Sequence, residues 1–98
     1  MNYFERTAEF EKWLVGLKDS AARLRIARRI NAASGGNFGD CKPVGEGVSE
    51  MRIHYGPGYR VYFTRIGNTV YLLLAGGDKS SQKRDIARAL EMVRQLKE

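Results

Sequence analysis

The sequence predicts an α+β domain: an N-terminal helical hairpin packed on a three- to four-stranded antiparallel sheet, with a C-terminal helix. Two changes of period carry this expectation. Apolar residues recur at helical spacing up to about residue 33, alternate with polar ones from residue 40, and return to helical spacing after residue 80. Residues with capping or turn chemistry stand at each change. Helices on one face of an antiparallel sheet satisfy that order, and residues 1–98 read as a single domain.

Phe10, Trp13, Leu14 and Leu17 form one stripe of a first helix, with Thr7 placed to cap it. Asp19 or Ser20 caps a second helix, whose Ala22, Ile26, Ile30 and Ala33 share a face while Arg25, Arg28 and Arg29 occupy another. Ser34-Gly35-Gly36-Asn37 ends it with residues that tolerate left-handed backbone. Cys41-Lys42-Pro43-Val44 suits a short strand, with Pro43 favouring an edge. Met51, Ile53 and Tyr55 alternate with Glu50, Arg52 and His54, and Val61 and Phe63 with Arg60, Tyr62 and Thr64. Gly56-Pro57-Gly58 connects these two strands, and Gly67-Asn68 is a hairpin signal before Thr69–Ala75. Ser80 or Ser81 then caps a last helix with Ile86, Leu90 and Val93 inward.

Composition narrows the function classes. At 43% hydrophobic and 29% charged residues, the 98-residue chain has the balance of a soluble globule. Its longest apolar run, Val70 to Ala75, is far too short to cross a bilayer, and Met1 to Arg6 lack the pattern of a signal peptide. Cys41 is the only cysteine and His54 the only histidine, which argues against a disulfide or a structural zinc site. A reducing cytoplasm is the expected compartment. The net charge is +6, with +2 in residues 1–49 and +4 in residues 50–98, so the basic excess is no tail. Such a charge fits a nucleic acid or an acidic protein as partner, or simply solubility.

One strand pair carries chemistry. If Tyr55 pairs with Tyr59, His54 lies opposite Arg60 and Arg52 opposite Tyr62, and all four project from one sheet face. Arginines grip phosphate oxygens and stabilise extra negative charge in phosphoryl transfer. Histidine moves protons near neutral pH, and an aromatic ring stacks on a splayed base. The alternative for this cluster is a solvated face. Gly76-Gly77-Asp78-Lys79-Ser80 lacks the spacing of a nucleotide-hydrolysis loop and reads as a strand-to-helix turn, with Lys79 placed to support an anion. Cys41 and Trp13 read as packed side chains.

Four blocks extend the reading: Gly36-Asn37-Phe38-Gly39-Asp40-Cys41-Lys42-Pro43-Val44-Gly45, Glu50-Met51-Arg52-Ile53, Gly56-Pro57-Gly58-Tyr59-Arg60-Val61-Tyr62-Phe63 and Leu72-Leu73-Leu74-Ala75-Gly76-Gly77-Asp78-Lys79. Together they resemble the phage-derived addiction-module killer proteins of the RelE/ParE toxin superfamily, near its HigB-type branch. The resemblance implies a type II toxin that cuts mRNA on the ribosome without metal or cofactor and is neutralised by an antitoxin, a helix-turn-helix protein. Arg60 stands where the family has its transition-state arginine, Arg52 where it has a basic residue on the preceding strand, and Lys79 at the start of the final helix. His54 is the candidate proton carrier, since histidines serve in the HigB branch. Asp85 and Ile86 stand where some relatives place a catalytic tyrosine. Tyr59, Tyr62, Gln82, Lys83 and Arg84 are the candidate RNA contacts, and Arg25, Arg28 and Arg29 the candidate antitoxin contacts. The ParE branch shares the fold but inhibits DNA gyrase, and a toxin of that kind is the alternative.

Overall fold

The computed structural model describes residues 1–97 and contains a five-stranded mixed sheet with three α-helices. The elements run β1 (Tyr3–Arg6), α1 (Ala8–Gly16), α2 (Ser20–Ser34), β2 (Cys41–Gly45), β3 (Val48–Ile53), β4 (Tyr59–Arg65), β5 (Val70–Asp78), a 3₁₀ turn (Lys79–Ser81) and α3 (Gln82–Leu96). The sheet order is β1-β5-β4-β3-β2, with β1 parallel to β5 and every other pair antiparallel.

The two N-terminal helices form as their caps and stripes predict. The Thr7 hydroxyl accepts from the Phe10 N–H (3.0 Å), and the Asp19 carboxylate accepts from Ala21 and Ala22. Ala22, Ile26, Ile30 and Ala33 are all buried, and Gly36, at φ +102°, carries the chain out of α2. Pro43 lies on an edge strand, where its missing N–H costs no ladder bond.

Three expectations need correction. The hairpin is preceded by a strand, because Tyr3–Arg6 pairs with Val70–Leu73 at the far end of the chain. Four residues without alternation give no local signal for such a partner. Thr7 secures the junction: its N–H donates to the Leu73 carbonyl and its hydroxyl to that of Leu74 (2.8 Å).

The helices also do not share one face. Phe10, Leu14, Ile26 and Ile30 pack with Met51, Ile53, Tyr59, Val61, Phe63 and Leu73 in one cluster. Ala89 and Val93 of α3 pack with Val48, Tyr62 and Leu74 in a second one. Successive residues of a strand point to opposite faces, so β4 and β5 are covered on both sides. The uninterrupted Leu72-Leu73-Leu74-Ala75 run is the sequence signature of that double burial.

The third correction is register. Ile53, not Tyr55, pairs with Tyr59, which sets Arg52 opposite Arg60 and Glu50 opposite Tyr62. The connection is longer than a tight turn because the Tyr55 N–H bonds back to Ile53 and that of Gly58 to Tyr55. A slip of two residues preserves the faces, so Arg52, Arg60 and Tyr62 still share one side.

Candidate functional site

The face shared by β3 and β4 is organised around an acid. Glu50 is fully buried, and its Oε1 accepts from Arg52 Nε at 3.0 Å. Its Oε2 accepts from the Tyr62 hydroxyl and from Gln82 Nε2, both at 2.9 Å, and Arg60 Nε lies 3.4 Å away. Burial alone would push this carboxyl up. The bonds from Gln82, Arg52 and Tyr62, with the Arg60 charge, outweigh it and hold Glu50 below the ordinary glutamate range. Sequence reasoning missed Glu50 as a site residue. The available signal was that it is the only acid between Glu46 and Asp78, a stretch with four basic or imidazole side chains.

Arg60 is held at two points: Nη1 donates to the Gly58 carbonyl at 3.2 Å, while Nε faces Glu50. Gly58 sits at φ +82°, a conformation costly for other residues. A Cβ there would stand 3.5 Å from Lys79 Cβ and 3.7 Å from Arg60 Nη1, so the lysine and the arginine flank this glycine. Lys79 is exposed at the start of the 3₁₀ turn, one residue after β5. Asp78 caps that turn by accepting from the Ser80 N–H at 2.8 Å. Arg52, Arg60 and Lys79 therefore gather at the end of the sheet where β4 begins and β5 finishes, and the two arginines share one buried negative charge. Such an arrangement suits an anion that gains charge during reaction.

The other expected residues divide. Lys83 and Arg84 are exposed on the first turn of α3 and line a cleft with Ser80 and Ser81. Gln82 instead turns inward to Glu50. Tyr59 and Tyr62 offer no face to a base: Tyr59 is buried against Trp13, and Tyr62 is enclosed beneath α3. Both stacking roles are corrected by that double burial. Burial, and then the bond to Glu50, also push the Tyr62 phenol far above its ordinary pKa. Asp85 is buried over Gly77 and accepts from the Ser81 hydroxyl. Cys41 is half-buried and its thiol donates to the Phe38 carbonyl, with burial pushing its pKa up, which fits packing rather than reactivity.

His54 follows the last residue of β3 and does not lie opposite Arg60, because the register places Arg52 there. Its exposed imidazole meets Asp40, with Nε2 2.6 Å from Oδ2. The bond to His54, and then the charges of Arg52 and Arg29, hold the Asp40 carboxyl below its usual range. Asp40 thus holds the imidazole with its side chain while its backbone carbonyl accepts from the Arg52 N–H at 2.9 Å. On the side towards α2, His54 and Ile53 line an open cleft with Arg25, Arg28 and Arg29. These arginines differ. Arg29 is a half-buried structural clamp that donates to the carbonyls of Arg52, Phe38 and Asp40 at the wall of the cleft. The Arg25 guanidinium lies 4.4 Å over the Tyr55 ring, and Arg28 is exposed.

Among the described residues no group of three His, Cys, Asp or Glu side chains could hold a metal ion. Nor is any helix long and apolar enough to cross a membrane.

No protein-family model matches the chain. An uncharacterised protein of Haemophilus influenzae is 43% identical over 90 residues, covering 92% of this chain and 91% of that protein. Among solved structures, a doubly Arg-to-Ala substituted form of the E. coli toxin RelE in the free state superposes with a TM-score of 0.72. That likeness covers 93% of this chain and 96% of the other at 15% identity, which shows a shared fold.

Proposed function

This chain belongs to one family with the Haemophilus influenzae protein and has the fold of RelE, and we propose that it is the toxin of a type II toxin–antitoxin pair. In this reading it is a ribosome-dependent mRNA endoribonuclease of the HigB-type branch, acting in the cytoplasm. The observation that carries the reading is the cross-strand Arg52–Arg60 pair, steadied by the buried Glu50 carboxylate, with Lys79 near Arg60 across Gly58.

The reaction needs no external nucleophile. A ribose 2′-oxygen attacks the adjacent phosphorus and the bond to the 5′-oxygen breaks, leaving a cyclic phosphate and a 5′-hydroxyl. The 2′-hydroxyl gives up a proton and the leaving oxygen takes one. Arg60, Arg52 and Lys79 stabilise the phosphorane, on which negative charge accumulates. His54, oriented by Asp40, is the proton carrier at the outer edge of the site. Lys83 and Arg84 hold flanking phosphates. Positioning of the scissile phosphate for in-line attack supplies much of the acceleration, and the ribosome provides it by holding mRNA extended.

Primer extension on cellular mRNA after brief induction tests the reading. New 5′ ends in translated messages, with protein synthesis stopping before DNA synthesis, are the expected result. Arrest of DNA synthesis first, with intact mRNA, overturns it in favour of a gyrase-directed toxin. Within the ribonuclease reading, His54→Gln lowers the single-turnover rate by about 10²–10⁴-fold while ribosome binding stays the same. An unchanged rate removes the proton role from His54.

A further inference from the structure

The Arg52–Arg60 pair poses an electrostatic problem. Two guanidinium groups directly opposite each other on neighbouring strands repel, and like charges in that position destabilise a sheet. Repulsion would drive the two side chains apart into their many rotamers. Arg52 is nevertheless held at Nε and Arg60 is nearly enclosed, its side chain only 12% exposed. The neighbour common to both is Glu50.

We propose that Glu50 is the positioning residue of this site: a carboxylate that does not touch RNA but aims Arg52 and Arg60 at a phosphate. The inference rests on the ribonuclease reading above and gives a defined role to the carboxylate which that reading names only as a support.

Four features separate positioning from proton transfer. Glu50 has no exposed surface, so a substrate oxygen does not reach it. Its oxygens are already occupied: Oε1 by Arg52, and Oε2 by Tyr62 and Gln82 with Arg60 close by. It binds Arg52 through Nε, which leaves both terminal nitrogens of that side chain outside the ion pair. Arg60 Nε is buried without a hydrogen-bond partner, and the Glu50 charge at 3.4 Å is what offsets its desolvation. Together with the bond from Arg60 Nη1 to Gly58, this sets the plane of the guanidinium from two sides. Gln82 completes the arrangement by tying the first turn of α3 to the same carboxylate.

Glu50→Asp is the discriminating variant, because it keeps the charge but withdraws the carboxylate by one methylene. A carboxylate that only neutralises charge tolerates the change; one that aims the arginines does not. The expected result is a folded protein with wild-type ribosome affinity and a single-turnover cleavage rate reduced about 10–10²-fold, since misplacement by about 1 Å costs that much. Hydrogen exchange at the Nε–H groups of Arg52 and Arg60, followed by NMR, should accelerate in parallel. A wild-type rate with unchanged exchange overturns the proposal. If the wild-type protein cleaves no mRNA, the ribonuclease reading fails by itself, and exchange alone judges the aim: faster exchange in Glu50→Asp supports it, and unchanged exchange overturns it. Should Glu50→Asp not fold, the wild-type chain decides. On titration with acid, the Nε resonances of Arg52 and Arg60 must move in one transition with the Glu50 carboxyl carbon, and independent transitions overturn the assignment.

Discussion

Arg60 reaches the site from β4 with its stem enclosed and its guanidinium anchored to Gly58 and Glu50, so little conformational entropy is left to lose when a phosphate arrives. Arg60→Ala removes a preorganised donor and is expected to lower cleavage about 10²–10³-fold in a protein that remains folded. Growth arrest after induction, read beside thermal unfolding, checks this; a folded variant that still arrests growth fully contradicts the site. Glu50 supplies a second prediction. Its carboxyl is depressed below the ordinary value of 4.5, so the unfolded chain takes up a proton first as the pH falls. The stability it contributes is complete above that value and is lost as the pH drops towards the lower, folded pKa. Neutralising this buried partner by Glu50→Gln is expected to cost about 3–5 kcal/mol at neutral pH. The gap to the wild type should narrow in acid. Asp40, Glu46 and Asp78 are depressed as well but persist in the variant, so the difference between two urea-unfolding series isolates Glu50.

At the scale of elements, the end of β5 decides how α1 and α3 clasp the sheet. Trp13 of α1 packs where a side chain on Gly76 would stand, and the Asp85 carboxylate of α3 does the same at Gly77. Two adjacent glycines thus admit one helix on each face. The nucleotide-loop composition of Gly76-Gly77-Asp78-Lys79-Ser80 has its physical reason in this close packing. A methyl group at Gly77 would collide with Asp85 and Ser81, both part of the α3 start that also presents Gln82. Gly77→Ala is therefore expected to lose about 1–3 kcal/mol by overpacking. For a domain of this size that is a fall in Tm of roughly 4–8 °C per kcal/mol, readable by calorimetry. An unchanged Tm would mean that α3 sits more loosely on β5 than the close packing implies.

For the whole molecule the question is how +6 is distributed. Arg88 pairs with Glu9 and Glu91, Arg94 with Glu46 and Arg6 with Glu11, so the charge of these three arginines is locally compensated. Arg25 and Arg28, beside Ile53 and His54, form a basic cleft with an apolar floor, and the Arg52–Arg60–Lys79 face forms another basic surface. On the proposed function, an acidic segment of the antitoxin docks at the α2 cleft. The rate of association with the protein encoded beside this one should then fall as salt rises. Arg25→Ala together with Arg28→Ala should slow it about tenfold at low salt. Stopped-flow binding across ionic strengths measures both effects, and a salt-independent rate would remove the electrostatic docking.

Local chemistry by itself determined much of this protein. The caps at Thr7 and Asp19 follow from side-chain acceptors at helix starts, and the edge position of Pro43 from its missing N–H. The buried stripe Ala22-Ile26-Ile30-Ala33 and the shared face of Arg52 and Arg60 follow from periods of 3.6 and 2. What those periods leave open is what arrives from elsewhere in the chain. Residues 3–6 become a strand only because β5 offers an edge almost seventy positions later. Tyr59 and Tyr62 lose their expected surface role because helices cover both sheet faces. His54 moves away from Arg60 because backbone bonds in the β3–β4 connection shift the pairing by two residues. Glu50 shows the division most sharply. Its residue type and its place on the Arg52 face are visible in the sequence, but its state as a buried anion depends on Tyr62 from β4 and Gln82 from α3 meeting it together. Hydrogen bonds between residues 12 and 32 positions apart leave no trace in local periodicity, so only the tertiary structure could turn an alternating polar residue into the centre of the site.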